Sequence, residues 1–236
     1  MTANHSAPSR RGFLTVAIVS GAGTLLAVPE ALGAEGKKEE KEQEVTPTED
    51  LMREHGVLKR VLLAYGEMLA RLEKGREFPP EALSDAAGVI RSFIEDYHEK
   101  LEEDFLFPRF EKAGQFTELT ATLRKQHQAG RRLTDVTLGL AKLSALKSDS
   151  DRRELENALR QFIRMYEPHE AREDTVLFPA LRKIVTPHEF AALGEDFEKK
   201  EHELFGEDGF EHMIDKVAGM EKRLGIYDLA QFTPKS

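Results

Sequence analysis

Beyond residue 48 the apolar positions recur at threes and fours, the period of a helix with one buried face. Leu51, His55, Leu58, Leu62, Leu69 and Leu72 share one side of a first predicted helix. It begins at Thr48, where Glu49 and Asp50 favour its positive end, and stops at Gly75 and Pro79-Pro80. A second helix is predicted over residues 80–112 and closed by Gly114. A third, over 117–146, carries Leu119, Leu123, His127, Leu133, Val136 and Leu140 on one side. Ser148-Asp149-Ser150-Asp151 caps a fourth, which runs to about Ile184. Thr186-Pro187 opens a shorter fifth helix ending near Phe205. A turn at Gly206 and Gly209 leads to a last helix over 211–224, with an irregular tail from Ile226. No segment shows sustained strand alternation, so the chain is read as all-α. Four long helices on short loops predict an up-down-up-down four-helix bundle of two hairpins related by a pseudo-twofold, with one or two additional C-terminal helices.

The first residues break this pattern. Ser9-Arg10-Arg11-Gly12-Phe13-Leu14 resembles the twin-arginine export motif, and a mildly apolar run follows from Phe13 to Val28. That run is short of the ~20 residues a membrane span needs. Ala31-Leu32-Gly33-Ala34 offers small residues for cleavage. The expected organisation is an export signal over 1–34, a charged linker over 35–48, the bundle over 49–185 and a helical extension with a tail over 186–236. The mature protein is expected in the periplasm or outside the cell, without stable membrane insertion.

Composition narrows the chemistry. The 236 residues carry a formal net charge of −9, which argues against nucleic acid as a partner. There is no cysteine, so disulfides, thiolate ligands and thiol catalysis are excluded. What stands out is a repeated pattern. His98-Glu99-Lys100-Leu101-Glu102-Glu103-Asp104-Phe105-Leu106-Phe107-Pro108 and His169-Glu170-Ala171-Arg172-Glu173-Asp174-Thr175-Val176-Leu177-Phe178-Pro179 both read H-E-x-x-E-acid-x-x-L-F-P, 71 residues apart. His55 and His127, 72 apart, precede one copy each. Residues four apart share a helix face, so His98 with Glu102, and His169 with Glu173, point at one spot. A neighbouring helix brings the upstream histidine. Face-to-face packing of the hairpins gathers four imidazoles and two carboxylates, a donor set suited to two ions bridged by the carboxylates. Mixed nitrogen and oxygen donors favour iron, with zinc or manganese less favoured.

The pattern resembles the hemerythrin-like, or HHE cation-binding, family over roughly residues 49–183. The segments Glu49-Asp50-Leu51-Met52-Arg53-Glu54-His55 and the two L-F-P stretches ending at Pro108 and Pro179 carry the resemblance. It implies a four-helix bundle with a non-haem di-iron centre. His55 and His98 would bind one iron, His127 and His169 the other, and Glu102 and Glu173 would bridge them beside an oxo or hydroxo group. The family's oxygen carriers resemble an H-x-x-x-H arrangement on the third helix. Here Leu123 and Arg131 flank His127 at that spacing, which leaves an open position on both ions. The resemblance thus implies an iron protein that meets oxygen, peroxide or nitric oxide. Carriage, sensing, peroxide decomposition and plain iron handling remain open, as does the oligomeric state. A ferritin-like oxidase would need E-x-x-H spacing, which this chain reverses.

Other residues are candidates around this set. Glu99 and Glu170 stand where some relatives use an additional ligand, but they point ~100° away from the ligand face, so the plainer reading is an outer or solvated carboxylate; Glu103 and Asp174 are read as acids bonding a ligand imidazole. His202 could complete the coordination, though a solvated helix end is the plainer reading. His188 and His212 are read as surface residues. Pro108 and Pro179 are expected to bend or end their helices, and Pro168 to kink the fourth helix or mark a bulge. Phe105, Leu106, Phe107, Leu177 and Phe178 are read as core. Tyr97 and Tyr166, close to the histidines, are candidates for redox or hydrogen-bonding roles.

Overall fold

The structure is a computed structural model, described here for residues 45–142 and 147–234. The proposed export signal and most of the charged linker lie outside the described residues. Helix α1 spans Pro47–Glu73. Its N-cap is Thr46, two residues before the predicted start. The Thr46 hydroxyl accepts from the Glu49 N–H while the Glu49 carboxylate accepts from the Thr46 N–H, a reciprocal cap that satisfies two otherwise orphaned donors. Helix α2 covers residues 80–113 and α3 spans Thr117–Leu140. Helix α4 covers residues 149–181, α5 spans Pro187–Phe205 and α6 spans Gly209–Leu224, followed by a short 3-10 turn, Leu229–Phe232.

Helices α1 to α4 form the expected bundle, with α1 on α4, α4 on α3, and α3 on α2. The two additional C-terminal helices pack against the bundle. Thr46–Ser236 is one compact unit, and α5 and α6 close its α1/α2 side. Phe205 and Phe210 pack on Phe93, Phe205 also meets Tyr97 edge-on, and Phe197 meets Phe105 edge-on. Arg60 grips the Glu221 carboxylate with two nitrogens, at 2.9 and 2.6 Å, a bidentate geometry that fixes α6 on α1. No helix among the described residues is long and apolar enough to cross a membrane.

Helix α3 differs from its predicted face. Its fully buried line is Thr120, Leu123, His127, Gly130, Thr134 and Thr137, whereas Leu119, Leu133 and Leu140 are only partly covered. The threonines satisfy their hydroxyls locally or on α2: Thr120 donates to Thr117 O, Thr137 to Leu133 O, and Thr134 to the buried Glu95 carboxylate at 2.6 Å. The stripe is thin at Gly130, where a Cβ would lie 2.0 Å from the Tyr166 hydroxyl oxygen.

Neither Pro108 nor Pro179 ends its helix. Each follows a single π-helical turn, Glu102–Leu106 and Glu173–Leu177, after which α-helix resumes at Phe107 and Phe178. A proline ring collides with the carbonyl four residues back and offers no N–H to it. Widening the helix removes that conflict: Phe107 N–H bonds Glu102 O and Phe178 N–H bonds Glu173 O, five residues back. Pro168 leaves no such mark, since Asp149–Arg172 stays α-helical through it. A further π segment, Ile90–His98, lies in the first half and ends on His98 itself.

Candidate metal centre

The six predicted donors meet in the middle of the bundle, each at most 4% exposed. His55 and His98 place their Nε2 atoms 3.0 Å apart, and His127 and His169 theirs 3.3 Å apart. Glu102 reaches both pairs. Its Oε1 lies 3.7 Å from His98 Nε2 and its Oε2 lies 3.4 Å from His127 Nε2. Glu173 does the same with one oxygen, Oε2, which is 3.4 Å from His55 Nε2 and 3.1 Å from His169 Nε2. Donor atoms of Glu102, His127, His169 and Glu173 lie within 4.8 Å of one another, as do those of His55, His98 and Glu102.

Outer residues set the tautomers. His55 Nδ1–H donates to Asp174 at 2.7 Å, His98 to Glu54 at 2.8 Å, His127 to Glu103 at 3.0 Å and His169 to Gln126 at 2.9 Å. With every Nδ1 engaged, every Nε2 faces inward. Phe178 stacks on His55 with centroids 5.4 Å apart, and Phe107 on His127 at 5.6 Å. The Phe of each L-F-P stretch thus braces a histidine from the opposite hairpin. The π turn that admits the proline also starts on the central glutamate, so backbone geometry and donor placement are coupled.

The donor set fits a pair of cations. None of the four carboxylate oxygens of Glu102 and Glu173 receives a hydrogen bond, although both residues are fully buried. Such groups are costly in a protein interior unless paired or bound to metal. Two nitrogens held ~2.1 Å from one ion at right angles sit about 3 Å apart, the spacing seen in both histidine pairs. The titration behaviour reflects the crowding. Burial and the Glu173 charge push Glu102 well above the ordinary carboxylate range. Burial also disfavours charge on Glu173, but His169 and His55 hold its carboxyl well below that range. Burial works against a proton on His55, yet Asp174 and Glu173 outweigh it and hold the imidazole up at about 9. Burial dominates at His127 and lowers it to about 4. Burial and the adjacent His55 hold His98 well below its usual value.

The flanking candidates fall into place around this cluster. Glu103 and Asp174 bond ligand imidazoles, as the sequence suggested. Glu99 receives the Tyr166 hydroxyl at 2.6 Å and pairs with Arg131 at 2.8 Å, and burial raises its carboxyl to about 8. Glu170 pairs with Lys59 at 2.5 Å. Tyr97 donates to Glu54 at 3.1 Å, so both tyrosines serve as hydrogen-bond donors. His202, His188 and His212 are exposed, and none joins a candidate donor group among the described residues. Sequence reasoning missed four supporting residues. Glu54 and Gln126 directly precede His55 and His127, and Lys59 and Arg131 follow them by one helical turn. A polar residue before, and a basic residue four after, each upstream histidine is the signal that could have found them.

A helical bundle with a buried, duplicated His/Glu donor set defines a cation-binding protein. The sequence profile of the hemerythrin HHE cation binding domain matches residues 46–145 and again 136–233. The chain belongs to that family. It is 53% identical over 195 residues to uncharacterized proteins of Mycobacterium bovis and Mycobacterium tuberculosis, an overlap spanning 83% of this chain and 76% of each relative. No solved structure shows a significant match.

Proposed function

We propose that this chain is an exported non-haem di-iron protein that binds a small ligand such as oxygen, peroxide or nitric oxide. One iron is assigned to His55 and His98, the other to His127 and His169, with Glu102 and Glu173 bridging. The observation that carries this reading is the placement of Glu102 and Glu173 between two histidine pairs, each with a carboxylate in reach of both. Bound iron would supply valence change and vacant positions for a small ligand. The protein's part is to hold four Nε2 lone pairs inward, to exclude bulk water and to neutralise the ions with two buried carboxylates. Nearly complete burial of all six donors favours a ligand of two or three atoms over a larger substrate. The Ser9-Arg10-Arg11 motif supports export by the twin-arginine route.

The test is metal content and the visible spectrum of full-length protein purified without added metal, alongside Glu102→Ala and His169→Ala. About two irons per chain with an intense near-ultraviolet to visible band, lost in Glu102→Ala and reduced in His169→Ala, is the expected result. One zinc per chain, or a folded protein without metal, would overturn it.

A further inference from the structure

The two histidine pairs are backed by different charge. In the first site both imidazoles donate to carboxylates, His55 to Asp174 and His98 to Glu54. In the second, His127 donates to Glu103, but His169 donates to the neutral amide of Gln126. Glu54 and Gln126 occupy matching positions, one residue before His55 and His127, so the difference is a single exchange of carboxylate for amide in otherwise similar settings. The remaining carboxylate of the second site is also met by two cations. Glu103 accepts from Arg131 at 2.9 Å on the oxygen that meets His127 and from Lys100 at 2.9 Å on the other.

We infer that the two sites are inequivalent: the His55/His98 site selects the ion of higher charge and the His127/His169 site the ion of lower charge, through the Glu54/Gln126 exchange. The inference rests on the two-ion reading above. A carboxylate behind an imidazole puts negative charge about one ring width from the ion, where attraction scales with the ion's charge. A trivalent ion therefore gains more from Glu54 than a divalent ion does, and neither gains as much from Gln126. In a half-oxidised iron pair, the ferric ion would settle beside His55 and His98. Glu54 acts as a positioning residue that touches no ion.

Gallium(III) and zinc(II) test this without redox chemistry, since both have closed shells. The quantity to measure is the ratio of gallium to zinc affinity, obtained by chelator competition on full-length protein. Two single-site variants are compared: His127→Ala, which leaves the first site, and His55→Ala, which leaves the second. A proton displaced from an imidazole is displaced by both ions and drops out of the ratio. The ratio is expected to be ten- to a hundredfold higher in His127→Ala than in His55→Ala. Adding Glu54→Gln to His127→Ala should lower the ratio about tenfold, and adding Gln126→Glu to His55→Ala should raise it as much. Equal ratios in the two single-site variants, or a ratio unmoved by Glu54→Gln, would overturn the inference. If the single-site variants do not fold, Gln126→Glu and Glu54→Gln in the intact protein must shift the overall gallium preference up and down respectively, and no shift overturns it. Failure of every variant and of the parent to bind either ion would instead sink the two-ion reading itself.

Discussion

Four residues beyond the α1 histidine stands Lys59, and four beyond the α3 histidine stands Arg131. Both reach a buried glutamate on the motif helix of the opposite hairpin, but they do different amounts of work. Lys59 makes one contact, to Glu170, with its side chain half exposed. Arg131 meets Glu99, Glu103 and the Glu95 carbonyl, with its side chain about a quarter exposed. Around the second site, then, a planar five-donor guanidinium ties together three α2 residues, where the first site has a flexible point charge and one partner. The candidate ligands are alike in the two hairpins, while their surroundings differ in charge and rigidity.

The sharpest way to break this comparison is to remove each cation. Arg131→Ala would strand Glu99, buried among Tyr166 and neighbouring carboxylates, and leave Glu103 with fewer partners. The expected loss is about 2–3 kcal/mol, below the about 3–5 kcal/mol for breaking a fully buried pair because Arg131 keeps some water. Lys59→Ala should cost under about 1 kcal/mol, as exposed pairs do. Urea unfolding of metal-free protein measures both; equal losses would mean that the two cations are interchangeable.

A second contrast lies one residue earlier, where the 72-residue offset aligns Leu58 with Gly130. Leu58 fills its own space in the core. At Gly130 the space belongs to Tyr166: a Cβ there would lie 2.0 Å from the Tyr166 hydroxyl oxygen. That hydroxyl is committed to Glu99 and cannot swing aside cheaply. Gly130→Ala would gain up to about 1 kcal/mol of helix propensity and lose more by overpacking, a net loss of about 1–2 kcal/mol. A Tm lower by several degrees is the expected readout, and adding Tyr166→Phe should return part of it. An unchanged Tm would show that the α3–α4 contact is loose.

The helices, their order and the six converging donors were legible because each depends on a local period: threes and fours for burial, four for His and Glu on one face. The offset between copies then matched the hairpins. What the sequence did not reveal depends on the other hairpin or on backbone adjustment. The prolines suggested helix ends, but the bundle keeps the helix and widens it, because ending it would strip packing from Phe107 and Phe178. The buried face of α3 was misjudged because Thr134 and Gly130 owe their burial to Glu95 and Tyr166, residues on other helices. Gln126 was not singled out because its partner, His169, lies 43 residues away along the chain. The C-terminal helices gave no sign in their own pattern that Phe205 and Phe210 would complete the packing around Phe93.

A further expected difference between the sites concerns protons. A metal ion takes the neutral imidazole, so a histidine that holds its proton competes with the ion. Asp174 and Glu173 hold His55 protonated up to about pH 9, whereas burial keeps His127 neutral down to about pH 4. For the first site, one proton must leave His55 below pH 9. Zinc affinity of His127→Ala should therefore rise about tenfold per pH unit between pH 7 and 9, about 1.4 kcal/mol per unit, and level off above. His127 adds no such slope to the second site over that range, since it is already neutral there. Chelator competition across this pH range, repeated with Asp174→Asn, checks the cause: losing the carboxylate should lower the His55 pKa and flatten the slope. A slope that survives Asp174→Asn undiminished would place the proton elsewhere in the cluster and remove His55 as the source of the difference.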